Sequence, residues 1–186
     1  MKVVSVNIGE IKKVKWRNSV IETGIFKYPV SAPIYLDLEN VRHDQIENRI
    51  HHGGIEQAVY AYGEQHYEHW KALYPDQDWK YGMFGENLTI SDFDETWVHV
   101  GAIYALGSAK IQVTKPRQPC MKLGIRFNTQ KIVKDFWNST KSGVYFKVLE
   151  QGSVAVNDTL TLLENTPNNP TIAQVYTEKR RKKNRK

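Results

Sequence analysis

The sequence holds one cysteine in 186 residues, so no internal disulfide framework is available and a reducing compartment is expected. No apolar run approaches the roughly 18 residues of a membrane span. The N-terminus also lacks a signal-peptide core, so no membrane partner and a cytoplasmic location are expected. Neither a phosphate loop nor a dinucleotide fingerprint is present, which excludes a nucleotide cofactor held by those routes. Acidic residues are missing from the last eight positions, where Lys179 to Lys186 carry seven cations. Without that tail, 19 basic residues face 20 acidic ones, so the net charge of +6 belongs to the tail and the body is neutral. The body shows no basic stripe with interleaved aromatics, so a nucleic-acid partner is not expected. A basic end of this kind is in most proteins a solvated one.

What remains is an ordinary globular composition, 40% hydrophobic and 25% charged, in a chain long enough for one core. Short alternating or β-branched runs recur at Val3–Ile8, Ile34–Leu38, Gln57–Tyr62, Trp97–Val100, Ile103–Leu106, Ile111–Thr114, Val144–Leu149, Val154–Val156 and Thr159–Leu163. Gly, Asn, Asp and Pro punctuate them closely, which predicts a mainly β, antiparallel barrel or sandwich with a few short helices. Helices are predicted at Glu64–Leu73, with Tyr67, Trp70 and Leu73 on one face, and at Thr129–Asn138, with Ile132, Val133, Phe136 and Trp137 together. Residues 1–164 form the expected domain. Residues 165–186 read as a linker, a short helix and the basic tail.

The lone cysteine lies in Pro116-Arg117-Gln118-Pro119-Cys120-Met121-Lys122-Leu123. Nearby cations favour a thiolate, the form that attacks electrophiles or binds a soft metal. An inert buried thiol is the alternative. Three further polar clusters accompany it. His51-His52-Gly53-Gly54, followed by Gln57, pairs imidazoles with glycines that let backbone approach a ligand, or simply make a turn. Gly82-Met83-Phe84-Gly85-Glu86-Asn87-Leu88 presents an acid and an amide before a strand, suited to a heterocycle or to an Asx-type turn. His66 and His69 share a helix face, but one cysteine and no recognisable ligand spacing argue against a zinc site. A Cys120 pairing with His52 or His66 for nucleophilic catalysis is open at this stage.

Taken in order, His52-Gly53-Gly54-x-x-Gln57-Ala58-Val59-Tyr60, Glu64-x-His66-Tyr67-x-x-Trp70, Gly82-x-x-Gly85-Glu86-Asn87-Leu88 and the cysteine loop resemble the MOSC domain family. Gly143-x-Tyr145-x-Lys147-Val148-Leu149 and Gly152-x-Val154 continue the likeness, which spans roughly residues 50–163 and is to the YiiM type in particular. The resemblance implies a β-barrel that binds the molybdenum cofactor, molybdopterin, with Cys120 as the molybdenum ligand. It implies Arg117, Lys122 and Arg126 at the cofactor phosphate, Asn87 and Gly85 at the pterin edge, and Gln57, Gly53 and His52 at the mouth. The family description also carries pyridoxal phosphate binding. The implied activity is an oxidoreductase one: reduction of N-hydroxylated compounds such as hydroxylaminopurines, a detoxification of base analogues. His52, His66 or Glu86 would deliver the proton, and an NAD(P)H-dependent flavoprotein would supply electrons. A homodimer is compatible with the family. The alternative is a sulfur-carrier or cofactor-handling module with Cys120 as persulfide acceptor. Departures include Lys147 where the family often has Arg. The basic end also stands where YiiM-type chains continue into a three-helix domain.

Overall fold

The computed structural model describes residues 1–45, 47 and 53–183. Its strands are β1 (Val3–Gly9), β2 (Lys12–Trp16), β3 (Ser19–Thr23), β4 (Lys27–Pro29), β5 (Ile34–Leu36), β6 (Val59–Gly63), β7 (Leu88–Ile90), β8 (Ile103–Leu106), β9 (Ala109–Pro116), β10 (Val144–Glu150), β11 (Gly152–Val154) and β12 (Leu160–Glu164). Its helices are α1 (His66–Leu73), α2 (Met121–Arg126), α3 (Lys131–Asn138) and α4 (Ile172–Lys183), and a 3-10 turn covers Ile55–Gln57. No described helix is long and apolar enough to cross a membrane.

Eight strands form one sheet in the order β12-β8-β9-β10-β6-β7-β1-β4, with two small pairs, β11-β5 and β2-β3, beside it. The mainly β architecture with a few helices agrees with the periodicity of the sequence. The expected β-barrel does not: the sheet is open, ending at β12 and β4. The reason lies in β1. One of its edges is taken by β7 from Val3 to Val6, through an irregularity in register. Its other edge is divided. β4 occupies Asn7–Gly9, and the start of β1 meets the entry to β12 through one isolated bridge, Lys2 to Thr159, flanked by a few backbone hydrogen bonds such as Val3 N–H to Asp158 O (2.9 Å) and Leu160 N–H to Met1 O (3.1 Å). A single bridge does not propagate into a ladder, so the seam stays open.

The run Trp97–Val100 also departs from expectation. It is not a strand. Val100 N–H donates to Pro170 O (3.0 Å) and Val98 O accepts from Ile172 N–H (2.9 Å), so its backbone is satisfied by the segment leading into α4. The hairpin β2–β3 and the short β4 and α2 were not foreseen, whereas β7 stands where a strand was expected after the Gly82–Leu88 turn. The exposed faces of β2 and β3 carry little of the apolar alternation that marks a buried strand.

Two apolar clusters result. One fills the sheet interior with Val, Ile and Leu side chains and Phe93 and Phe146. The other is aromatic and packs α1, α2 and α3 on β6: Tyr62 stacks on Phe84 at 4.4 Å, and Trp70 lies parallel to Phe136 at 5.7 Å. Trp70 Nε1 donates to Tyr62 Oη at 2.6 Å, which answers the polar handle of a fully buried indole. Leu73, expected on the same face as Tyr67 and Trp70, is exposed instead.

The turn before β7 is built around one carboxylate. Glu86 is fully buried and accepts from Gly82 N–H (2.9 Å), Phe84 N–H (3.0 Å), the Thr89 hydroxyl (3.1 Å) and the Tyr67 hydroxyl. Gly82 has φ +84, and a Cβ there would stand 2.7 Å from Lys27 O, so the turn lies directly against β4. At the head of β10, Gly143 (φ +65) leaves no room for a Cβ, which would meet the Tyr60 ring at 2.5 Å and Ala61 O at 2.6 Å.

Two predictions follow from these turns. Burial pushes the Glu86 carboxyl up, against the pull of its four hydrogen bonds. The folded state therefore holds that proton to higher pH than the unfolded chain, and stability from this group is full below the unfolded value and declines as pH rises through the folded one. Denaturant titrations across that range should show the stability gap between wild type and Glu86→Gln changing in this direction; a pH-independent gap contradicts it. Gly143→Ala should cost about 1–3 kcal/mol from backbone strain and the Tyr60 collision, read as a lower Tm.

Candidate functional site

Pro116 ends β9, and the prolines at 116 and 119 offer no N–H to a continuing ladder. The chain turns there into α2, with Cys120 at the N-terminal cap and its carbonyl accepting from Leu123 N–H at 3.0 Å. This turn forms one wall of an open cleft of about 630 Å³. Its lining brings together Cys120, Arg117 and Lys122 from the cysteine loop, Gln57 from the 3-10 turn, Gly85 and Asn87 from the turn before β7, and Tyr60 and Tyr145 from β6 and β10. Segments distant in sequence thus converge on one thiol.

The cations of the cleft differ in how they are satisfied. Lys27, at the start of β4, is almost fully buried and pairs with Asp44 at 2.7 Å. Lys122 pairs with Glu47 across the mouth. Arg117 is buried, with its guanidinium over the rings of Tyr60 (5.1 Å) and Phe136 (5.6 Å), and its Nη1 has no hydrogen-bond partner among the described residues. Burial acts to lower the Arg117 pKa, yet Tyr60, Tyr145 and the Cys120 sulfur more than offset it and hold the guanidinium charged. Burial likewise raises the Tyr145 and Tyr60 hydroxyls, with Arg117 opposing, so both stay protonated. The site is a desolvated cation beside a thiol, under two neutral phenols.

Asn87 is buried, and its amide is engaged inside the protein. It donates to Asp44 Oδ2 (3.0 Å) and to Asn7 O (3.3 Å), and its Oδ1 accepts from Tyr60 N–H (3.3 Å). Arg126 does not line the cleft. Its guanidinium lies over Phe26 (5.0 Å) and Tyr28 (4.9 Å) and donates to Tyr28 Oη at 3.1 Å. Glu86 is turned inward as described above. His66 is buried with its Nε2 at 2.7 Å from Glu95 Oε2, also away from the cleft lining. With Asp94, that pair places three ligand-type atoms within 4.8 Å of one another, whereas His69 instead sets its ring edge-on to Trp70. Gly53 is half-buried and is not among the lining residues. His51 and His52 lie outside the described residues.

Lys27, Asp44, Glu47, Tyr60 and Tyr145 are among the contributors that escaped the sequence reading. A signal for Lys27 existed, since it is the one cation in Gly24-Ile25-Phe26-Lys27-Tyr28-Pro29-Val30. A lysine in an apolar run needs a buried partner. The two tyrosines stood within motifs already singled out, but β alternation alone does not say which face looks onto a cleft.

The MOSC domain family matches residues 48–161. The uncharacterized protein YflK of Bacillus subtilis is 35% identical over 161 residues, covering 87% of this chain and 72% of its own. A protein of Gibberella moniliformis named reductase is 33% identical over 164 residues, which are 87% of this chain but 29% of that much longer one. The crystal structure of YiiM from Geobacillus stearothermophilus superposes with a TM-score of 0.80 at 29% identity, covering 97% of this chain and 84% of its own. By the matched domain, the ordered motifs and this shared architecture, the chain belongs to the MOSC domain family and is a protein of its YiiM type.

Proposed function

We propose that this protein is a molybdenum-cofactor-dependent reductase of N-hydroxylated compounds, hydroxylaminopurines among them, with Cys120 as the metal ligand. One observation carries the reading: Arg117, buried beside Cys120, keeps a guanidinium nitrogen without a hydrogen-bond partner among the described residues. A desolvated cation with a donor to spare is costly unless an anion completes it. A cofactor with a phosphate and a soft metal fits that donor set, since Arg117 suits paired bonds to a phosphate and a cysteine thiolate suits the metal. The reductase name of one relative lends further support.

When bound, the cofactor supplies the two-electron chemistry that converts R–NHOH, with two electrons and two protons, into R–NH2 and water. The protein's residues do the rest. Cys120 anchors the metal, Arg117 holds the anionic end, and Lys122 contributes a point charge tempered by Glu47. Gln57 and the Gly85 backbone offer hydrogen bonds to a heterocyclic edge, while Asn87 keeps the floor in shape through its internal bonds. Of the three proposed proton donors, Glu86 and His66 are committed to internal partners, and His52 lies outside the described residues. Electrons come in this reading from an NAD(P)H-dependent flavoprotein in the cytoplasm.

The test is molybdenum content by elemental analysis, on protein expressed in a host that makes the cofactor. Wild type should carry near-stoichiometric metal. Cys120→Ser should fold, lose the metal and lose reduction of N-hydroxylated bases; full metal and activity in that variant would sink the ligand assignment. Arg117→Ala should release cofactor at least about tenfold more readily, the loss of one charge-assisted contact, with the thiol still reactive to alkylation. Cyanide-releasable sulfur on Cys120 with no molybdenum would favour the persulfide-carrier alternative.

A further inference from the structure

α4 does not trail into solvent. Ile172 and Tyr176 are fully buried, and the Tyr176 hydroxyl donates to Phe136 O at 3.0 Å. Arg180 donates to Asn138 O at 2.6 Å, and Lys183 sits 4.6 Å above the Trp137 ring. The basic turns are therefore pinned to α3. Five consecutive cations, Lys179 to Lys183, are presented there with one acid, Glu178, shared by Arg181 and Lys182.

The helix dipole favours cations in a last turn. It does not explain why β9 adds another. Lys115 closes β9 just before Pro116, and β9 packs against α4; burial lowers the Lys179 ammonium, and repulsion from Lys115 acts in the same direction. Lys115 is two residues from Arg117 and opens the segment that forms the cleft wall, and the Arg117 guanidinium lies 5.6 Å over the ring of Phe136, whose carbonyl accepts from Tyr176 of α4. The basic surface thus backs onto the cysteine side of the cleft, and like charges are held together at a cost that an acidic partner would relieve.

We propose that the basic face formed by α4 and Lys115 is the docking surface for an acidic electron-carrying protein. The inference rests on the reductase reading, in which electrons come from another protein because this sequence has no flavin or nicotinamide motif. Redox encounters use small, charged interfaces that steer association and release quickly, and a compact basic face next to a cleft matches that need. A single-stranded nucleic acid would instead ask for a cationic groove interleaved with stacking aromatics. Here Tyr176 of α4 is fully buried and Trp137 is covered by Lys183.

The experiment measures binding of two acidic carriers, a plant-type [2Fe–2S] ferredoxin and a flavodoxin, to the wild type and to Lys179→Glu/Arg181→Glu/Lys182→Glu by calorimetry. Unchanged Tm confirms that the triple variant folds. At least one carrier should bind the wild type, lose about tenfold or more in affinity in the variant, and weaken steeply between about 10 mM and 1 M salt. Reduction driven by dithionite and methyl viologen should be the same in both proteins. Binding by neither carrier, equal binding to both proteins, or tighter binding of a 20-nucleotide single strand that the variant abolishes would each overturn the proposal. Carrier binding that behaves as expected, without turnover of N-hydroxylated bases, would uphold the docking surface and reject the reductase reading.

Discussion

The Lys27–Asp44 ion pair and the amide of Asn87 hold the cleft floor together. Asp44 Oδ2 meets both the ammonium (2.7 Å) and Asn87 Nδ2 (3.0 Å), while Asp44 Oδ1 accepts from Gly9 N–H (2.9 Å). Asn87 then reaches β6 through Tyr60 N–H and β1 through Asn7 O. A single buried knot therefore ties the end of β1, the start of β4, β6 and the entry to β7. Two charges out of water are expensive, and here each finds further polar partners or the rim of the cleft. Removing either partner alone would leave the other charge buried, a change that costs several kcal/mol in comparable pairs. The cleft depends on this knot because Lys27, Asn87 and Tyr60 are at once its members and the cleft's lining.

Behind that floor the aromatic cluster fixes the opposite wall. Tyr60, Tyr145 and Phe136 surround the Arg117 guanidinium, and Phe136 belongs to the stack that carries Trp70, Phe84 and Tyr62. Helix packing and site geometry are consequently one problem. The same ring that closes the core under α3 orients the cleft guanidinium whose Nη1 has no hydrogen-bond partner among the described residues.

Much of this was legible in the sequence. The alternating runs located most of the strands, and the apolar faces of Tyr67/Trp70 and Ile132/Phe136 located α1 and α3, because burial on one face leaves a periodic trace. The motifs around Gln57, Gly85, Asn87 and Cys120 were legible as clusters, and they do share one cleft. Closure into a barrel was not, since it turns on whether a second ladder forms along β1, and a single bridge at Lys2 looks the same in sequence as a full one. The inward aim of Glu86 and the Glu95 partner of His66 were hidden for a related reason: an acid before a strand reads alike whether it faces a ligand or four backbone and hydroxyl donors. Lys27 and Asp44, seventeen residues apart and each unremarkable alone, meet only through the strand pairing of β1 with β4.

The placement of Arg117 between rings has an electronic consequence. A guanidinium keeps its charge at every pH the protein meets, and burial strips away the water that would otherwise mute its field. Any electron-rich group attached to the Cys120 sulfur then sits in a positive potential of fixed sign. Adding an electron to such a group becomes easier, and removing one harder, by an amount set by the protein and independent of proton concentration. On the proposed reductase reading, the Arg117 side chain is thus a built-in bias on reduction potential, installed by the packing of two tyrosines and a phenylalanine.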